Sequence, residues 1–124
     1  MTGFTERPSL DELVARFGRV NVFVELWDHG DPLDSARNDA LAELAIHADV
    51  ELVATNNVHY ARAADFPRFT ALAATRARRS LSDLEGWLPP APSACLRGAA
   101  EQVRRMGRWP GSVDAAVMLA RDCA

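Results

Sequence analysis

Apolar residues recur at helical spacing near the start of the chain and then give way to a strand-like pattern. Ser9 and Glu12 have the spacing of a capping box, so a helix is expected to begin there. Gly18 is a residue type that commonly ends helices. Residues 20–26 are rich in β-branched side chains and predict a strand. One face of this strand would carry four apolar side chains, Val20, Val22, Val24 and Leu26.

Helical periodicity returns over residues 34–48, with Asp34 or Ser35 as the expected N-cap. The predicted inward face of this helix consists of Leu41, Leu44 and Ala45. Residues 51–55 then predict a second, short strand. Strand, helix and strand at this spacing indicate a βαβ unit with parallel strands. Because parallel strands need cover on both faces, the sequence predicts an α/β fold that is incomplete as a single unit.

The second half of the chain predicts helices and a proline-rich stretch. A third helix is expected over residues 65–79, with Pro67 in its first turn, where the missing amide costs little. Its predicted inward side chains are Phe69, Leu72 and Ala73. Residues 80–97 hold three of the seven prolines and predict a linker. Two short helices are expected to follow, over residues 98–106 and 112–122.

Composition is that of an ordinary globular protein, with 48% hydrophobic and 25% charged residues. The net charge of -3 gives no overall attraction to nucleic acid or to an anionic membrane. Cys95 and Cys123 lie far apart, which predicts neither a disulfide framework nor a zinc ribbon. No apolar run approaches the roughly 20 residues of a membrane span. We therefore expect a cytoplasmic protein with no membrane partner.

Polar side chains cluster where the two predicted strands end. They are Glu25, Asp28 and His29 after the first strand, and Asn56, Asn57 and His59 after the second. The carboxyl ends of parallel neighbours meet at one edge, where α/β proteins bind ligands, and such side chains could ligate zinc or manganese. His29 is better explained as a solvated loop histidine, whereas His59 fits a ligand and a structural role about equally. Asn57 is a poor ligand because its amide oxygen carries no charge.

Other features of the sequence favour structural interpretations. Neither a nucleophile elbow nor a phosphate-binding glycine loop occurs in the chain. The basic residues Arg76, Arg78 and Arg79 are typical of a solvated helix end, more than of a phosphate contact. The three tryptophans, Trp27, Trp87 and Trp109, are better explained as packing anchors or partner contacts than as stacking platforms.

The residues at the strand ends resemble the PHP (polymerase and histidinol phosphatase) domain of bacterial C-family DNA polymerases of the polymerase III alpha type. Val-Glu-Leu at 24–26 with His29 and Gly30 is similar to the strand and loop before the last metal motif of that domain. Leu-Val-Ala-Thr-Asn-Asn-Val-His-Tyr at 52–60 is similar to the motif itself. The family form is Asp-x-His, with both residues as metal ligands. His59 matches the histidine and Asn57 stands where the aspartate would be, which implies a degenerate metal position.

Later residues resemble the error-prone branch of this family more than the replicative one. The similar stretches are residues 75–81 and 86–89, and residues 96–123 are similar to the stretch that leads out of the PHP domain. The resemblance implies the last βαβ units of a distorted (β/α)7 barrel followed by short helices. Residues 1–79 would be the C-terminal part of the barrel, 80–97 a proline-rich linker, and 98–124 the helical segment leading out.

The resemblance also implies a function for the chain. It would be a fragment of an error-prone DNA polymerase that contributes PHP-domain structure and is inactive by itself. The parent enzyme would use DNA and deoxynucleotides in damage-tolerant synthesis, beside other polymerase or mutasome subunits. Zinc or manganese would belong to the parent site, with none held by this chain. A replicative polymerase III alpha fragment, an independent small metal-dependent phosphoesterase, and an interaction module built on Trp87 and the linker stay open as alternatives.

Overall fold

The computed structural model describes residues 9–84, 88 and 91–124. Trp87, Pro89 and Pro90, which carry much of the predicted linker, lie outside the described residues. In chain order the elements are α1 (Leu10–Phe17), β1 (Phe23–Leu26), α2 (Asp34–Ala48), β2 (Glu51–Ala54), α3 (Phe66–Ala77), α4 (Ala99–Arg105) and α5 (Ser112–Asp122). Short 3-10 turns occupy Arg19–Asn21, Ala63–Asp65 and Ser82–Leu84. The predicted helices and strands are therefore confirmed, with shifts at their ends.

The strands β1 and β2 pair in parallel, with Phe23 opposite Glu51 and Leu26 opposite Ala54. The amide of Thr55 donates to the carbonyl of Leu26 at 2.9 Å and extends the pairing beyond β2. Within the described residues the sheet has two strands joined through α2. This arrangement confirms the α/β class and the predicted βαβ unit. The barrel and the division of the chain into three segments stay predictions.

The hydrophobic core lies between the sheet and the C-terminal helices. Its buried members are Val24, Leu26, Ala45, Ala54, Met106 and Trp109. Helix α5 packs against β2, and α2 packs against β1. The indole nitrogen of Trp109 donates to Asp39 on α2 at 3.1 Å, which ties the C-terminal helices to the βαβ unit. Trp109 is thus a packing anchor, which is one of the two roles that the sequence favoured for the tryptophans.

The capping box at the start of α1 is confirmed. The Ser9 hydroxyl accepts from the Glu12 amide at 3.2 Å, and the Ser9 amide donates to the Glu12 carboxylate at 2.7 Å. Gly18 ends the helix with a φ of 82°, a conformation that glycine adopts without steric cost.

The first strand begins later than predicted, at Phe23. The preceding residues form a 3-10 turn in which the Asn21 side chain donates to the carbonyl of Phe17 at 2.9 Å. This bond satisfies a carbonyl at the end of α1, so the turn takes residues that the apolar pattern assigned to the strand. Val20 is consequently 83% exposed, and its predicted place on the buried strand face is wrong.

The predicted N-cap of α2 is also wrong. Leu33 holds the cap position, and Asp34 is the first helical residue. The carboxylate of Asp34 turns back to the loop, where it accepts from the amides of His29 at 2.8 Å and Asp31 at 3.0 Å. An ion pair with Arg37 at 2.7 Å completes its contacts. Asp34 thus stabilises the loop after β1.

The inward faces of α2 and α3 differ in part from the prediction. On α2, Asp34, Asn38 and Ala45 are buried, whereas Leu44 is 48% exposed. On α3, Ala74 is buried and Leu72 is 64% exposed. Polar side chains occupy the inward face of α2 because they hydrogen-bond to the loop after β1. Apolar periodicity cannot identify such positions.

No helix in the described part of the chain combines the length and apolar character needed to cross a membrane.

Exposed apolar side chains lead to a prediction about the isolated chain. Leu33, Ile46 and Leu72 are each more than 60% exposed, so we expect the chain to bind a hydrophobic dye and to self-associate. The double variant Ile46→Gln/Leu72→Gln should bind less dye and associate less, with unchanged helical circular dichroism.

The control for this prediction is Leu26→Gln, because Leu26 is fully buried. It puts an amide without a partner into the core, so it should lose at least the roughly 2–5 kcal/mol of folding free energy that a buried Leu→Ala change costs. It should also bind more dye. A monomeric parent chain that binds no dye would contradict the prediction.

Candidate site at the carboxyl ends of the strands

The loops after β1 and β2 lie side by side, as the parallel pairing requires. We call these loops, residues 27–31 and 55–60, the rim. The Thr55 hydroxyl donates to the Glu25 carboxylate at 2.6 Å and joins the two strands where the rim begins. The two strand ends therefore meet at one edge, although Thr55 belongs to neither of the predicted polar clusters.

His29 is buried, which corrects the expectation of a solvated loop histidine. Its residue exposure is 8%, and its Nε2 lies 2.7 Å from the carbonyl oxygen of Asn56. A carbonyl only accepts, so Nε2 carries the proton in this contact and donates it. His29 therefore links the two rim loops, and this nitrogen is not free to bind a metal.

Asn56 is also buried and joins the rim to residues 93–105, which we call the closing segment. Its side-chain nitrogen donates to the carbonyls of Cys95 at 2.5 Å and Ser93 at 3.1 Å. Tyr60 adds a second junction, since its hydroxyl accepts from the Ala94 amide at 3.2 Å. Burial raises the pKa of the Tyr60 phenol above its ordinary value.

Asn57 and His59, the predicted metal positions, are exposed at the outer side of the rim. Asn57 has a φ of 40°, a left-handed conformation that asparagine tolerates better than most residues. The His59 ring stacks on Phe69 of α3, with ring centroids 5.1 Å apart, and its amide donates to Ala94 at 2.9 Å. The metal role of both residues stays a prediction.

A charge network covers the other side of the rim. Arg97 donates to the carbonyls of Asp28 at 2.7 Å and Ser93 at 3.0 Å. Arg105 lies 3.2 Å from the Glu101 carboxylate and 3.8 Å from that of Asp28. Burial lowers the pKa of the Arg97 guanidinium, and the charge of Arg105 lowers it further, while Glu101 and Asp28 act in the opposite direction.

The residues described do not fit a metal centre by themselves. No group of three or more histidine, cysteine, aspartate or glutamate side chains converges anywhere in the described ranges. At the rim, the Asp28 carboxylate is paired with Arg105 and accepts from the Gly30 amide at 2.7 Å. The polar side chains of the rim therefore form hydrogen bonds and ion pairs with other groups of this chain.

Sequence reasoning missed the polar groups that reach the rim from outside. Gln102 of α4 donates to the Thr55 carbonyl at 2.7 Å, and Asn38 of α2 donates to the Trp27 carbonyl at 3.0 Å. Arg37 donates to the same carbonyl and lies over the Trp27 ring. The sequence carried one signal for Arg97, because Arg97 and Glu101 have the (i, i+4) spacing at which opposite charges often pair.

The basic cluster at the end of α3 is exposed. Arg78 ends the helix with a φ of 53°, and Arg76 and Arg79 lie beside it on the surface. This position agrees with the solvated helix end that the sequence favoured.

Comparison with known proteins finds long relatives that match nearly the whole chain. No family model matches it. The error-prone DNA polymerase of Cutibacterium acnes is 49% identical over 115 residues, which are 93% of this chain and 10% of that protein. The chain is homologous to a segment of error-prone DNA polymerase. The error-prone DNA polymerase of Nocardia farcinica is 46% identical over 116 residues, 94% of this chain and 10% of that protein.

A DNA polymerase III subunit alpha also matches, at lower identity. The protein of Saccharopolyspora erythraea is 30% identical over 105 residues, 84% of this chain and 9% of that protein. The higher identity to error-prone DNA polymerases agrees with the branch that the sequence favoured. The chain spans about a tenth of the length of these relatives.

We expect the isolated chain to bind zinc weakly or not at all. A tight zinc site needs at least three protein ligands, and His59 is the one residue that matches a ligand of the metal motif which the sequence resembles. Isothermal titration with zinc should give no sub-micromolar binding, and His59→Ala should give the same titration as the parent. Stoichiometric, tight binding that is lost in His59→Ala would overturn this expectation.

Asp34 should titrate at a lower pH than an ordinary aspartate. Burial raises its pKa, but the amides of His29 and Asp31 and the charge of Arg37 lower it more, so the net shift is downward from 3.8. A carboxyl with a lowered folded pKa contributes stability that is present above its unfolded pKa and lost as pH falls through its folded pKa. The amide chemical shifts of His29 and Asp31 should therefore change with a midpoint below 3.8.

Two variants check this assignment. Arg37→Met should raise the midpoint. Asp34→Ala should cost about 1–3 kcal/mol of folding free energy, because the buried amide of His29 and the partly buried amide of Asp31 lose their acceptor. A midpoint at or above 3.8 in the parent chain would contradict it.

Proposed function

We propose that this chain works as a segment of an error-prone DNA polymerase. The observation that carries the proposal is its identity of 49% to such a polymerase over 93% of its length. Identity to DNA polymerase III alpha subunits is 30–31%. The parent enzyme would act on DNA and deoxynucleotides in damage-tolerant synthesis, beside other polymerase or mutasome subunits.

Within that enzyme, the chain would form the C-terminal part of a PHP barrel. Support comes from the position of the motif that resembles the last PHP metal motif: β2 runs directly into Asn57 and His59 at the carboxyl end of a parallel strand pair. Two parallel strands with exposed apolar residues around them are also suited to further barrel neighbours. Residues 98–124 would lead out of the barrel.

The role of the segment in the parent would be structural support. Asn57 offers a neutral oxygen where the family motif has a carboxylate, and the Nε2 atom of His29 is already bound to Asn56. Zinc or manganese in the parent would depend on His59 together with ligands from other segments. That chemistry, where present, would be Lewis-acid activation of a phosphoester or water.

The replicative alpha subunit is the second candidate, since one such relative is 31% identical over 92% of this chain. A metal-dependent phosphoesterase receives less support, because no cluster of metal-ligating side chains lies within residues 9–84 and 91–124. The interaction module built on Trp87 rests on a residue outside the described ranges.

A segment exchange tests the proposal. The 115 residues of the Cutibacterium acnes polymerase that match this chain would be replaced by the residues of this chain. We expect the purified chimera to extend a DNA primer, because the matched segment would keep its core and its outer contacts. The same exchange in the Saccharopolyspora erythraea alpha subunit should retain less activity.

Two controls accompany the exchange. A chimera carrying Leu26→Asp should lose activity together with its fold, since Leu26 is fully buried. The chain alone should neither extend a primer nor degrade DNA with manganese. A folded, inactive chimera would contradict the polymerase role, and manganese-dependent degradation that is lost in His59→Ala would favour the phosphoesterase.

A further inference from the structure

The closing segment lies across the carboxyl ends of both strands, at the edge where parallel α/β folds bind ligands. It contacts the loop after β1 through Arg97 and the loop after β2 through Gln102, in each case by a hydrogen bond of 2.7 Å to a backbone carbonyl. In the opposite direction, Asn56 of the rim donates to the carbonyls of Cys95 and Ser93 in the closing segment. Both loops are therefore fastened to one stretch of chain.

Arg97 is the most deeply buried charged group of this contact. Its side chain is 4% exposed, and its nearest carboxylate, that of Glu101, lies 3.8 Å away. Its Nη1 atom has no hydrogen-bond partner in the described part of the chain. Burying a cation with incomplete pairing costs folding free energy. An apolar side chain of similar length, such as methionine, would avoid this cost, so the arginine is expected to make contacts that methionine cannot make.

One terminal nitrogen of the guanidinium supplies that role. A single nitrogen, Nη2, donates to Asp28 in the first rim loop and to Ser93 in the closing segment. Asn56 of the second rim loop shares Ser93 as an acceptor. Loss of Arg97 would thus release the segment next to Ala94, the residue whose carbonyl accepts from the amides of His59 and Tyr60.

We propose that residues 93–105 form an internal latch over the rim, fastened by the guanidinium of Arg97. When the latch is closed, Ala94 holds the backbone of the His59 motif in place, and His29, Asn56 and Tyr60 are buried. Opening the latch would expose the carboxyl ends of both strands without unfolding α2 or the sheet. The latch follows from the contacts of this chain and does not depend on the polymerase role.

Amide hydrogen exchange of the full chain tests the latch. Arg97→Met should raise the exchange rates of the His59 and Tyr60 amides by about tenfold or more, because charged hydrogen bonds and their enclosure are lost. Arg97→Lys keeps the charge on a shorter side chain without the planar guanidinium, so it should reach both carbonyls less well and give an intermediate rate. The amides of α2 should exchange as in the parent chain.

Arg104→Met is the matched control, since Arg104 is an exposed arginine on α4, within the same closing segment. It should leave the His59 and Tyr60 amides unchanged. Any one of three results would refute the latch. These are no protection of the His59 and Tyr60 amides in the parent chain, equal exchange in Arg97→Met and Arg104→Met, or a uniform loss of protection in Arg97→Met that includes α2. The last result would make Arg97 a residue of the global core.

Discussion

The structure depends on satisfying the backbone carbonyls where two very short strands end. β1 and β2 have four residues each, so their ladder supplies few hydrogen bonds, and the loops that follow need partners from elsewhere. Asn38 and Arg37 of α2 bind Trp27, Arg97 binds Asp28, and Gln102 binds Thr55. Without these side chains, the carbonyls would lose their hydrogen bonds to water on folding and form none within the protein.

This requirement explains why polar residues occupy positions that would otherwise be apolar. Asn38 is fully buried, and Asp34 is 4% exposed on the inward face of α2. Hydrogen bonds are directional, so each buried polar group fixes the relative position of its partners more closely than apolar contacts do. Helix α2 and the closing segment are thereby held in one register against the rim, while Leu26, Met106 and Trp109 provide the nonpolar part of the core.

The sequence was sufficient for features set by local chemistry. The capping box of α1, the order of helices and strands, and the parallel pairing all follow from neighbouring residues or from a βαβ spacing. The start of β1 was missed because the Asn21 side chain competes with the strand, and Leu44 was misplaced because polar residues hold inward positions of α2. On α3, Ala74 is buried in place of Leu72. His29 was misjudged because its partner, the Asn56 carbonyl, lies 27 positions away. Contacts between distant residues leave little trace in a local pattern.

The core is completed late along the chain. Asp39 on α2 meets Arg108 and Trp109 across separations of 69 and 70 residues, and Met106 packs with Val24 and Leu26. Closing loops of this length costs conformational entropy before the stabilising contacts form. Folding is slower for that reason. During synthesis on a ribosome, β1 and β2 would emerge long before the residues that cover them. The nascent βαβ unit would carry an open apolar face until α5, which packs against β2, has left the exit tunnel.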